Sequence, residues 1–344
     1  MARKRSALRN WSEYLALRGI STLQHSFSVS ENLRTAAAIG TAFYKLGPKR
    51  AARAERNIAL SFPEWDEARV KEVAEASMQH MFQLFMVDSL VTPRLVGRDS
   101  WSNHVELGNI GPTLERLIRG EPIIFVTGHC GNWELLGYVL ATLGYPMTAL
   151  ARPLDNPLIN DWLLGIRQAS GLQVITKWGA MQQLPKILAR NGQVGFIADQ
   201  NAGDQGLFVP VFGRLASSYK SVGLMAMRYH VPVIVGQAAR IENDLKYRIF
   251  ASDIIPPEDW ADEPDPLFYI TARYNRAIET LIRAAPEQYL WVHRRWKSRP
   301  RHEREGRPFP NRLRRKLEAL PWMTEEEMKR IIDLSERASH QETR

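Results

Sequence analysis

Apolar residues recur at helical spacing through the first 60 positions. Leu8, Trp11 and Leu15 share one face beside Arg9 and Arg18, and Leu33, Ala36, Ala37, Gly40, Phe43 and Tyr44 share another ahead of Lys45, Lys49 and Arg50. Stripes of this period predict amphipathic helices. Two readings of them stay open: a helical subdomain packed on its own core, or in-plane helices with aromatics in the headgroup layer and cations facing anionic lipid. From about Glu121 to Ala251 the pattern changes. Short apolar runs at Ile123–Thr127, Met147–Ala151, Leu172–Thr176, Val194–Ala198, Val231–Ala238 and Tyr247–Ala251 read as strands. Helical patterns at Trp133–Leu143, Pro157–Ala169, Ala180–Arg190 and Tyr219–Tyr229 alternate with them. That alternation predicts an α/β sheet with crossover connections. Beyond Pro300 the chain is charged, with a last helix expected at Glu325–Ala338. The expected organisation is an amphipathic N-terminal segment (1–60), a main domain (61–302) and a charged tail (303–344).

Composition narrows the class. Apolar residues make up 44% and charged residues 24% of the 344 positions, which suits a packed globular chain and excludes a disordered or fibrous one. The net charge of +9 is concentrated: Arg294–Glu318 alone holds eleven basic and three acidic residues. Such patches attract phosphates, anionic headgroups or an acidic protein. No RNA-recognition, helix-turn-helix or zinc-finger signature accompanies the charge, so nucleic acid is not the expected partner. The single cysteine, Cys130, permits no internal disulfide and fits a reducing compartment. No secretory signal is expected at the N-terminus. The longest charge-free run, Leu135–Ala151, has 17 residues and is broken by Gly144 and Pro146, too short to span a bilayer. Any contact with a membrane is therefore expected at its surface.

Active sites of open α/β sheets lie at the carboxyl ends of the strands. That rule selects Gly128–Glu134 and Asp199–Gly203. In the first, an apolar strand runs into His129, and Asn132 is a good N-cap for the next helix. Glu134 then falls in the first helical turn, where the dipole favours a carboxylate. Gly128 and Gly131 permit a tight turn, expected to fold His129 toward Glu134. A carboxylate on one imidazole nitrogen leaves the other free to accept a proton, the arrangement of a general base. The zinc-protease spacing is absent, as is a phosphate-cradling glycine loop. Cys130 is expected to be a small filler at the turn and Trp133 a core residue. Asp199 ends a strand without a metal-ligand cluster around it; an ion pair with Arg152 and a positioning role in the site are both open. Arg152 and Arg167 are candidate ligands of a substrate phosphate.

Gly128-His129-Cys130-Gly131-Asn132-Trp133-Glu134 resembles the His-x4-Asp/Glu motif of glycerolipid acyltransferases, in the form found in the bacterial lipid A late acyltransferases. Further pieces follow in that family's order. They are Arg56-Asn57 before Ser61-Phe62-Pro63-Glu64, Ala151-Arg152-Pro153 with Asn156-Pro157, and Asp199-Gln200 with Gly206, Pro210, Phe212-Gly213 and Ala216. The series closes with Pro286–Arg295 and Lys297–Pro300, so the similarity spans roughly residues 10–302. The resemblance implies an α/β fold with a mixed, mostly parallel sheet flanked by helices. It also implies transfer of a lauroyl- or myristoyl-type chain from an acyl carrier protein or CoA thioester to a hydroxyl of a lipid A-like acceptor. The implied place is the cytoplasmic face of the inner membrane, and no cofactor or metal is implied.

On this resemblance His129 is the base and Glu134 its orienting carboxylate. Arg152, Asp199, Gln200 and Arg167 are expected at the substrate, and Arg294, Arg295 and Lys297 at an acidic carrier protein or headgroup. Val211, Ser217-Ser218 and Trp296 depart from the family pattern and are expected to tune the acyl pocket. The competing expectations are another glycolipid or a lysophospholipid as acceptor, or a lipid-binding protein that keeps the fold without catalysis.

Overall fold

The computed structural model describes residues 6–150, 153–168 and 171–341. Arg152 lies outside them. Four helices open the chain: α1 (Ala7–Gln24), α2 (Val29–Leu46), α3 (Pro48–Ser61) and α4 (Glu67–Gln83). A π-helical turn (Leu84–Asp88) carries α4 into α5 (Ser89–Leu95). Then come β1 (Val105–Leu107), α6 (Gly111–Ile118), β2 (Ile123–Thr127), α7 (Trp133–Thr142), β3 (Met147–Leu150), α8 (Pro157–Gln168), β4 (Gln173–Ile175), α9 (Lys177–Leu188) and β5 (Gln193–Ile197). A hairpin of β6 (Leu207–Val211) and β7 (Arg214–Ser218) precedes α10 (Ser221–Tyr229), β8 (Val233–Arg240), β9 (Tyr247–Ile255) and α11 (Pro266–Ala284). The chain closes with α12 (Arg301–Arg304), α13 (Asn311–Glu318) and α14 (Glu325–Gln341).

Seven of the strands form one sheet in the order β1-β9-β8-β2-β5-β3-β4, parallel throughout except where β9 runs against β8. The fold class is the expected one. β2 sits at the centre and is buried at every residue, as a strand covered by helices on both faces must be. Its side chains alternate: Ile124 and Val126 join the core formed with α3, α4 and α11, while Ile123 and Phe125 join Leu140 of α7 and Met147 of β3. Because β2 and β5 are parallel neighbours in register (Thr127 opposite Ile197), their carboxyl ends emerge side by side. That juxtaposition builds the site.

The packed reading of the N-terminus holds for α2 and α3. α2 buries Leu33, Ala36 and Gly40, and α3 buries Ala51, Ala54 and Ile58, so both belong to the packed structure. α1 buries none of its residues; Leu8, Trp11, Leu15, Ile20 and Leu23 all stand exposed. It is moored to α8 by the side chain of Asn156, whose amide donates to the Asn10 carbonyl (2.9 Å) and to Glu13 (3.1 Å). Edge-on packing of Tyr14 on Trp162 completes the contact. The charged tail is folded onto the domain: Leu317, Leu320, Met328 and Ile331 enter the main core. No helix among the described residues is long and apolar enough to cross a membrane.

Candidate active site

β2 delivers the chain into a turn pinned from three directions. Gly131 has φ +58, and a Cβ there would lie 2.3 Å from the Ala238 carbonyl oxygen, so only glycine fits. Its N–H donates to the Gln288 carbonyl (3.0 Å), and the Asn132 N–H to that of Ala238 (2.7 Å). The imidazole of His80, wholly buried on α4, meets the Gly131 carbonyl at 3.1 Å, so its Nε2 carries the proton. Asn132 caps α7 as expected, accepting from the Leu135 N–H (2.9 Å). Beneath it Asp88, from the π-helical turn, is held by Arg240, Tyr247 and Asn132 in a buried network.

The partner of His129 is Asp199. The imidazole Nδ1 lies 2.7 Å from Asp199 Oδ1, and the His129 backbone N–H donates to Oδ2 at 3.0 Å. Burial alone pushes the Asp199 carboxyl up. The charge and hydrogen bonds of His129, with a further contribution from the charge of His293, override burial and hold it well below the usual carboxylate range. The expectation that the turn folds His129 onto Glu134 is corrected here. Glu134 starts α7, which leads its carboxylate off the flank of the turn, and Arg167 on α8 clasps it with Nε (2.8 Å) and Nη2 (2.6 Å). Arg167 thus stands beside the site in contact with a carboxylate.

Gln200 lies beside the base, its side-chain amide 3.3 Å from His129 Nε2, and is solvent-exposed. Trp133 packs edge-on against His129 with ring centroids 5.0 Å apart. His293, from the Pro286–Arg295 segment, joins them. Its ring stands at 77° to that of His129 with centroids 4.5 Å apart, and its Nδ1 is buried without a hydrogen-bond partner. Burial, then the charge of His129, lowers its pKa to about 4 against the opposing pull of Asp199, so it is neutral at physiological pH. The segment carrying it is fixed: Leu290 N–H donates to the His129 carbonyl (3.0 Å), and Asn57 on α3 donates to the carbonyls of Trp291 (2.8 Å) and His293 (3.0 Å). His129, Asp199 and His293 thereby gather ligand-type atoms within 4.8 Å of one another, a set the sequence spacing did not reveal. Two imidazoles and a carboxylate suit zinc in kind, but this carboxylate already accepts two bonds from His129. Cys130 is fully buried, and burial followed by the charge of Asp199 pushes its thiol up to about 12, which suits a filler and not a nucleophile.

Among the expected docking cations, Arg294 and Lys297 are exposed and Arg295 is not. The Arg295 guanidinium is buried and bonds to the Ser217 carbonyl (2.5 Å), Ser218 Oγ (2.6 Å) and Asn275 Oδ1 (2.9 Å), so it cannot meet a partner. It braces the β6–β7 hairpin. Val211, Ser217, Ser218 and Trp296 are buried in the same region and do not line the cavities beside Glu134. Those cavities are apolar. One, of about 90 Å³, lies under α7 against β2, β3 and β5; the other, of about 200 Å³, lies between α1, α5, α7 and α8.

A histidine held by a buried carboxylate stands at the carboxyl edge of a mostly parallel sheet, where active sites of α/β folds lie. Residues 1–298 match the family described as bacterial lipid A biosynthesis acyltransferase, and the chain belongs to it. Similar proteins include the Escherichia coli K12 lipid A biosynthesis lauroyltransferase, 26% identical over 297 residues that cover 85% of this chain and 93% of that one. The E. coli lipid A biosynthesis palmitoleoyltransferase is 28% identical, with 73% and 80% covered. A Haemophilus influenzae lipid A biosynthesis acyltransferase is 27% identical, with 71% and 74% covered.

Proposed function

We propose that this acyltransferase moves a fatty acyl chain from a carrier-protein or CoA thioester to a hydroxyl of a lipid A-like glycolipid, with His129 as general base. The observation that carries the reading is the His129–Asp199 pair within a chain of this family. With Asp199 ionised, the proton of the neutral imidazole sits on Nδ1 and Nε2 keeps its lone pair. The exposed Gln200 amide is easily displaced from Nε2 by a substrate hydroxyl. Nε2 takes the hydroxyl proton as the oxygen attacks the thioester carbonyl; the C–S bond then breaks, and the imidazolium returns its proton to the leaving sulfur. Asp199 stabilises the imidazolium, and Glu134 with Arg167 forms a fixed ion pair at the mouth of both apolar cavities.

The exposed face of α1 supports attachment to the cytoplasmic face of the inner membrane as an in-plane helix. Arg294 and Lys297 are the cations left free to meet an acidic carrier protein. The test is transfer from labelled acyl carrier protein or acyl-CoA into extracted glycolipid, with the product identified by mass. Wild-type protein should yield one acylated lipid, and His129→Ala should reduce the rate about 10²–10⁴-fold while remaining folded. Undiminished transfer by His129→Ala would sink the mechanism. Leu8→Glu with Leu15→Glu should release the protein from anionic vesicles, and full retention would remove α1 from the membrane.

A further inference from the structure

The smaller cavity begins immediately below the catalytic turn, at Thr127 and Trp133, and runs down the face of the sheet. Its lower walls are Phe125, Leu136 and Leu172, and its end is closed by Met147, Gly137 and Gly195. Met147, nearly buried, is the first residue of β3 and stands level with Gln193, four residues below the Thr127–Ile197 pair. Its thioether reaches up to Gly195, two residues below that pair, so at the rise of a strand the floor lies about 7 Å beneath it. The two glycines make room for the thioether. A Cβ on Gly195 would lie 2.9 Å from Met147 Sδ, and one on Gly137 would lie 3.0 Å from its Cε and 3.3 Å from Leu172 Cδ1. The end of the cavity is thus one flexible side chain seated between two positions without side chains.

We infer that this cavity takes the methyl end of the transferred acyl chain and that Met147, seated between Gly137 and Gly195, is the floor that sets its length. The inference rests on the acyl-transfer reading above. A chain whose carbonyl carbon lies at His129 enters at Thr127, passes the Glu134–Arg167 pair, runs along a mostly apolar wall and meets the thioether. Shortening residue 147 deepens the cavity. Adding a methyl at Gly137 pushes the thioether up into the space and makes it shallower. The larger cavity, which reaches α1, is left for apolar parts of the acceptor.

The experiment is competition: an equimolar mixture of laurate, myristate and palmitate carried as acyl carrier protein thioesters, presented to the full-length enzyme with glycolipid acceptor, the products resolved by mass. Because each variant is compared with itself, a loss of folded fraction cancels from the ratio. Met147→Ala should raise the palmitate-to-laurate product ratio by at least about 10-fold, the scale of discrimination between chains in an apolar pocket. Gly137→Ala should move the same ratio the other way. Ratios unchanged in both variants, with product still formed, would overturn the floor and leave acyl transfer standing. No product of any length from wild type would overturn acyl transfer itself.

Discussion

Two carboxylates flank the turn that carries His129, and the fold treats them differently. Asp199 is 70 residues away in sequence, its side chain 3% exposed, and it accepts both bonds that His129 donates to it. Glu134 is five residues away, its side chain 24% exposed, and it is occupied by Arg167. The difference follows from geometry. A residue in the first turn of a helix is led away along the helix flank, whereas the ends of adjacent parallel strands emerge together. Sheet pairing, not sequence proximity, chooses the partner of the base. The buried carboxylate stays ionised because its compensating groups surround it.

The sharpest way to break this contrast is to neutralise each carboxylate in turn. Asp199→Asn leaves the shape and removes the charge that favours the imidazolium, so kcat should fall about 10²–10⁴-fold with KM little changed. Asp199→Glu should recover part of it. Glu134→Gln removes the charge that Arg167 clasps beside the apolar cavities, and about a 10-fold loss is expected, shared between kcat and KM. Equal losses in the two variants would mean that Glu134 acts on the base directly.

Much of this was legible in the sequence. Five of the six expected strands of the sheet start within one residue of their expected starts, and the sixth (Val233–Arg240) starts two residues late. Strong apolar runs bounded by Gly, Pro and Asn specify such elements locally. His129 at a strand end and Asn132 as a helix cap were readable for the same reason. What was not readable depends on non-local pairing. The β6–β7 hairpin, the helices α4 and α11, and the meeting of His129 with Asp199 and His293 depend on segments far apart in the chain. Within Arg294-Arg295-Trp296-Lys297 no local pattern marks which cation turns inward; Arg295 does so because Ser217, Ser218 and Asn275 offer it acceptors.

The turn can also be loosened by protons. His80 is fully buried under Gly131 and is held down to about 4, first by burial and then by the charge of Arg240; His293 stands at about 4 for similar reasons. Both titrate near 6.5 in an unfolded chain. Between those values the unfolded chain binds more protons than the folded one, so their contribution is complete above about pH 6.5 and drains away as pH falls toward 4. By pH 5 the loss from His80 alone is about 2 kcal/mol. Asp199, shifted downward, adds stability that persists to lower pH and is lost only below the ordinary carboxylate range. Urea midpoints at pH 7 and pH 5 should differ clearly in wild type and less in His80→Gln. An unchanged difference in that variant would remove His80 from the effect.

The smallest expected effect separates neighbours in the basic run. Arg294 and Lys297 are exposed, and charge reversal there should raise KM for an acyl carrier protein thioester several-fold, with little change in kcat and a response that shrinks at high salt. The same pair of changes should leave KM for acyl-CoA nearly unaltered if the surface reads the carrier protein and not the thioester. Arg295→Met should behave oppositely. It leaves Ser217, Ser218 and Asn275 without their donor, so it should lower the urea midpoint while leaving the salt dependence of KM in place. A salt-dependent KM change in Arg295→Met, or none in the charge-reversed pair, would overturn this assignment of inward and outward cations.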